Sequence, residues 1–187
     1  MTSPAKKTLQ WTLPEIMLAI LFLIAPLYYH PNLGGEGLRI PHNITIWLVA
    51  TIFIAYTFHK TLKARQYVIP KYFWMIAAFP VLATLSGFIA GVEQPLKWLF
   101  RLLFIWGGLA FFFALFQAKL SQARIDRLLY LVIISALIFA IVGIMQIWLK
   151  LGMPYLLPKN PDGIPGSFFQ QINNQATYQV TAIFIAI

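Results

Sequence analysis

Glu93, Lys97 and Arg101 recur every four residues, so a helix reaching back to Glu93 carries all three along one face. A guanidinium beside an ammonium can hold a diphosphate, and burial in a low-dielectric groove strengthens that attraction. The same spacing also suits Lys97 and Arg101 reaching to lipid headgroups while Glu93 pairs with Lys97. A second constellation runs Gly163-Ile164-Pro165-Gly166-Ser167-Phe168-Phe169-Gln170-Gln171-Ile172-Asn173-Asn174-Gln175-Ala176-Thr177, turn formers first and amides after. Amides and free backbone N–H groups at a helix start bind sugar hydroxyls or phosphate oxygens. Capping of the helix by Asn173 or Asn174 is the other use of such residues.

Other chemistries find little support. His30, His42 and His59 form no i, i+4 pair, so neither a metal site nor a cofactor is expected. The chain has no cysteine, which excludes disulfides, thiolate metal sites and a Cys nucleophile. Glycine-rich phosphate loops, nucleophile elbows and paired carboxylates are missing from the sequence. The sequon Asn43-Ile44-Thr45 stands at the mouth of an apolar run, where a glycan would be poorly accommodated.

The elements that must position these residues are apolar. Of 187 residues, 60% are hydrophobic and 10% charged, and the mean hydropathy is +0.75, well beyond what a soluble core requires. The net charge of +9 sits in short clusters between apolar runs, a topological pattern and not that of a nucleic-acid partner. A helix crossing the hydrocarbon needs about 20 residues, because lipid offers backbone N–H and C=O groups no partner. Runs from Leu13 to Tyr29, Ile44 to Phe58, Tyr72 to Ala90, Trp98 to Gln117 and Leu128 to Leu149 meet or approach that length. Trp11, Tyr29, Trp47, Tyr72, Trp98 and Trp148 fall near their ends, where amphipathic rings suit the headgroup layer.

A sixth run begins near Tyr178 and reaches Ile187 after about ten residues, too few to cross at the helical rise. The expected fold is therefore all-α, a polytopic transmembrane helix bundle of five complete helices and a truncated sixth. Residues 1–187 read as the N-terminal transmembrane portion of a larger protein. Lys6, Lys7, Lys60, Lys63, Arg65, Lys71, Lys119, Arg124 and Arg127 fall in one set of alternate loops, against five basic residues in the other. This puts the N-terminus in the cytoplasm and the loops near residues 30–43, 91–97 and 150–177 outside.

Two passages resemble a known family. Pro31-Asn32-Leu33-Gly34-Gly35-Glu36-Gly37-Leu38-Arg39-Ile40-Pro41-His42-Asn43, followed by Trp47, is similar to the first periplasmic loop of bacterial protein-glycosylation ligases, the pilin-type O-oligosaccharyltransferases. Gly166 to Thr177 resembles the Gly-Gln-Asn-Ala stretch that enters a later helix of that family. The resemblance implies a multi-pass protein of the bacterial inner membrane, related to the O-antigen ligases and polymerases. Its partners would be an undecaprenyl-diphosphate-linked glycan, an acceptor protein such as pilin, and membrane lipids. An acceptor Ser or Thr hydroxyl attacks the anomeric carbon as the lipid diphosphate leaves, which needs cations at the leaving group. On this reading Lys97 and Arg101 face the diphosphate, while Gln170, Asn173 and Asn174 line the sugar or carrier site. The catalytic residues are unknown, and residues 1–187 alone are expected to be inactive, since the family's large outer loop with Arg and His is not among them. Three alternatives stay open: an O-antigen ligase or polymerase, a transporter of the lipid-linked glycan, and a scaffold packed through Gly87, Gly107, Gly108 and Gly143.

Overall fold

The structure, a computed structural model, describes residues 10–24, 40–150 and 172–187, without the side chains of 24, 40–45 and 172–175. Among these residues it is all-helical: α1 (Leu13–Ile24), α2 (Ile40–Ala64), α3 (Phe73–Ala90), α4 (Pro95–Gln117), α5 (Gln122–Trp148) and α6 (Ile172–Ala186). Three of them, α3, α4 and α5, are long and apolar enough to cross a membrane, and α1 and α6 contribute shorter apolar helices. Their outer faces expose large apolar side chains such as Trp74, Phe79, Phe88, Leu103 and Ile144. Such surface belongs to a membrane protein, since lipid and not water is its favourable neighbour.

Helix ends depart from the apolar runs in one direction. The second helix extends past the expected Ile44 to Phe58 at both ends, and the fifth begins six residues before Leu128. Lys60, Lys63, Arg124 and Arg127 lie in those extensions. A helix continues into the headgroup layer as long as its backbone bonds are met internally, whereas the apolar run stops where the hydrocarbon does. The sixth begins at Ile172, about two turns before Tyr178. The first covers Leu13–Ile24, and the stretch expected to carry it on to Tyr29 lies outside the described residues.

Packing links the helices as a row, α3 to α4 to α2 to α1 to α5 to α6, with no other helix pair in contact among the described residues. At its centre Leu18 and Ala19 of α1, Phe53 of α2, Ala114 of α4 and Leu128 of α5 form the buried cluster. Two tryptophans set close approaches on α4. The Trp47 ring lies over Gly107, where an added Cβ would come within 2.5 Å of it, and the Trp98 ring lies over Gly87 at 2.4 Å. Each ring is held edge-on by a neighbour, Trp47 by Phe104 and Trp98 by Phe88. These two indoles are thus packing elements, and Trp47, expected near a helix end, lies about two turns inside α2. Gly143 is buried on α5, while a Cβ on Gly108 would meet nothing within 4 Å.

One end of the row gathers the starts of α1 and α5 and the ends of α2 and α4. Gln117, the last residue of α4, accepts from the Val68 N–H at 2.9 Å and donates to the Val68 carbonyl at 2.7 Å. Its side-chain amide thereby meets both backbone groups of an extended loop residue, as a neighbouring strand would. Lys119 donates to Gln66 in the same loop at 3.5 Å. This basic end holds Lys60, Lys63, Arg65, Lys71, Lys119, Arg124 and Arg127.

Candidate functional site

At the opposite end α4 starts with Pro95 at its first position and Gln94 as N-cap. Proline is suited to the first turn, and it drives the residue before it out of helical conformation. Glu93 therefore lies outside the helix, and the expected line of three charges shortens to Lys97 and Arg101, one turn apart on one face. Both are exposed. The first turn of α4 contains no acidic residue, so its two cations add to the positive end of the helix dipole. Arg101 stands a turn further in, at a level where an anion would gain from both.

Asn173 and Asn174 lie in the first turn of α6, and Gln170, together with residues 25–39 and 151–171, lies outside the described residues. The sixth helix is fastened to the middle of α5. The hydroxyls of Ser135 and Tyr178 are hydrogen-bonded, Gln179 donates to the Ala136 carbonyl at 2.8 Å, and the Tyr178 and Phe139 rings are 5.7 Å apart. These contacts lie about one to two turns beyond the Asn173–Asn174 turn. The amide-bearing start of α6 is thus carried by α5. Lys97 and Arg101 are not brought against it: α4 packs on α2 and α3, and α6 on α5.

Among the described residues the most enclosed charged group lies at the basic end. The Glu15 side chain is fully buried, while those of Arg124 and Arg127 are about one-quarter exposed. Glu15 Oε2 accepts from the Thr12 N–H at 3.2 Å and lies 3.7 Å from Arg124 Nε. Arg127 Nη1 stands 3.1 Å from Oε1, close enough for an ion pair though off the hydrogen-bond line. Arg124 also donates to Thr12 Oγ1 at 3.1 Å, and the Arg127 guanidinium lies 4.7 Å from the centre of the Trp11 ring. With both its oxygens turned to cations and an N–H, this carboxylate clamps α1 to α5.

Sequence reasoning did not single out this cluster. Half of its signal is local, because Thr12-Leu13-Pro14-Glu15 has the spacing of a capping box, and Arg124 and Arg127 share a face at i, i+3. That the two halves meet across 112 residues is not written in either. Among the described residues no group of three or more His, Cys, Asp or Glu is placed to hold a metal ion. Compared with models of protein families, with curated proteins and with solved structures, the chain finds no match.

Proposed function

We propose that this protein serves glycan transfer at the outer face of a bacterial inner membrane, as a glycosyltransferase of the oligosaccharyltransferase class. The donor is an undecaprenyl-diphosphate-linked oligosaccharide and the acceptor a Ser or Thr hydroxyl of a protein such as pilin. The reading rests on the resemblance of residues 31–43 and 166–177 to that family. One observation supports it: Lys97 and Arg101 stand exposed one turn apart near the start of α4, whose first turn holds no acidic residue. Cations at a helix N-terminus oppose the dipole, an arrangement that a diphosphate reverses into attraction. Asn173 and Asn174, in the first turn of α6, are residue types whose amides suit a sugar or carrier site. In this proposal the basic end faces the cytoplasm, as the excess of Lys and Arg there favours.

Arg101 is the decisive residue. If its guanidinium holds the leaving diphosphate, Arg101→Ala lowers transfer about tenfold to a hundredfold, the effect of losing a charged hydrogen bond of about 1.5–3 kcal/mol. Arg101→Lys restores only part, because an ammonium keeps the charge and loses the planar fork. Glycan on the acceptor protein, measured per membrane-inserted molecule in cells producing each variant of the full-length protein, reads the outcome. Near-normal transfer by Arg101→Ala eliminates the diphosphate role and leaves Arg101 as a headgroup anchor.

A further inference from the structure

Beneath the loop that Gln117 holds lies an apolar cleft of about 380 Å³, between the end of α2, the start of α3 and the second half of α4. Phe58, Tyr67, Ile69, Trp74, Trp106 and Phe113 contribute to its walls. From Gln117 inward to Trp106 is eleven residues of helix, roughly 16 Å at 1.5 Å each. That is about half of a 30 Å hydrocarbon layer, the depth of one leaflet. Trp106 Nε1 donates to Thr84 Oγ1 on α3 at 3.1 Å, tying the two helices together at that depth.

The segment that borders the cleft, from the end of α2 to the start of α3, is rich in cations. From His59 to Trp74 the chain carries Lys60, Lys63, Arg65 and Lys71 and neither Asp nor Glu. Lys71 lies between the lining residues Ile69 and Phe73, with its ammonium 5.3 Å from the Tyr72 ring centre. Lys119 reaches Gln66, the neighbour of Tyr67. The carboxylates described at this end are engaged elsewhere, Glu15 by two arginines and Asp126 by the Gln122 amide at 2.7 Å. We propose that this cleft is a binding site for an anionic phospholipid, an acyl chain lying between α3 and α4 and the phosphate among Arg65, Lys71 and Lys119. A zwitterionic lipid fits the apolar walls equally but leaves the cations uncompensated, so the headgroup charge decides the occupant. The double hydrogen bond from Gln117 to Val68 holds the cationic loop over the cleft. This inference is independent of glycan transfer, which belongs to the other end of the row.

Quenching of tryptophan fluorescence by acyl-chain-brominated lipids tests it on the whole chain in phosphatidylcholine nanodiscs. The quenching attributable to the cleft is the difference between the parent and Trp106→Phe, with Trp74→Phe as a second subtraction should the first fail to assemble. Brominated phosphatidylglycerol is expected to occupy the cleft at least roughly fivefold in preference to brominated phosphatidylcholine, each cation near the surface contributing about that factor. In Arg65→Gln/Lys71→Gln, with both changes at exposed positions, the preference falls towards unity while quenching by the zwitterionic lipid persists. Equal quenching by the two lipids in the parent overturns the proposal in favour of an ordinary lipid-facing groove. Quenching by neither overturns it too, because a second copy or another protein segment then covers the cleft.

Discussion

Glu15 illustrates how one charged side chain can be kept within an apolar bundle. Its carboxylate is withdrawn from solvent, and its neighbours are two guanidiniums and a backbone N–H. Removing one member of a buried pair leaves the partner charge uncompensated, a larger loss than the pair is worth as a whole. Glu15→Ala should therefore destabilise the protein by about 3 kcal/mol. Glu15→Gln should cost less, since its amide oxygen still accepts from Thr12 while the charge is lost. The two arginines separate by their distance to Glu15: Arg127→Ala, removing the 3.1 Å contact and the guanidinium over the Trp11 ring, should outweigh Arg124→Ala, which removes a 3.7 Å contact and the hydrogen bond to Thr12. Thermal unfolding in detergent, followed by tryptophan emission, ranks the four variants. Equal midpoints for Glu15→Ala and the parent would show the cluster to be dispensable.

Helices in this protein meet through small residues under large rings. An alanine at Gly107 or Gly87 drives its Cβ into an indole that a second aromatic ring holds in place. Overpacking of this sort costs about 1–3 kcal/mol. Gly108→Ala meets no atom and gains helix propensity, so it should be neutral or stabilise by up to about 1 kcal/mol. Pairing Gly107→Ala with Trp47→Phe should recover part of the loss, because the smaller ring vacates the space. The same unfolding measurement decides, and a Gly107→Ala protein as stable as Gly108→Ala contradicts the packing described.

These contacts also mark what the sequence made legible. Lipid demands long apolar helices, so the α3, α4 and α5 runs could be read directly, and Pro95 after Gln94 explains why Glu93 falls outside α4. Partner choice was not legible, since helices apolar on nearly every face carry no stripe that names a neighbour. Trp47 and Trp98 read as headgroup markers, and only the packing reveals the glycines beneath them. Lys97 and Arg101 share a face as their spacing requires, yet no spacing tells that α6 packs away from them on α5.

At the scale of the whole molecule, charge is segregated by end. Two loops, from α2 to α3 and from α4 to α5, join one basic surface through Gln117, Val68, Lys119 and Gln66. Because the chain has no cysteine, single cysteines report sidedness without background. Replacements of Lys63 and Lys119 should react with an impermeant maleimide from the same side of the membrane, and a replacement of Glu93 from the other. Reaction of Lys63 and Glu93 replacements from one side would contradict the alternation of the helices. The proposed orientation adds that the shared side of Lys63 and Lys119 is the cytoplasm.

The spatial order of the row, α3, α4, α2, α1, α5, α6, differs from the order in which a ribosome delivers the helices. The first helix to emerge receives α2 soon afterwards, but its other flank stays open until α5 is made. Thr12 meets Arg124 only when synthesis has reached a residue 112 positions further along the chain. Until then Glu15 lacks the two guanidiniums that flank it in the fold, and a carboxylate enclosed without its partner charges is costly. Nascent α1 must therefore leave Glu15 in contact with water or headgroups until α5 encloses it. Settling of α1 is thus a late event in biogenesis, and a chain stalled before Arg124 should carry its first helix unclamped.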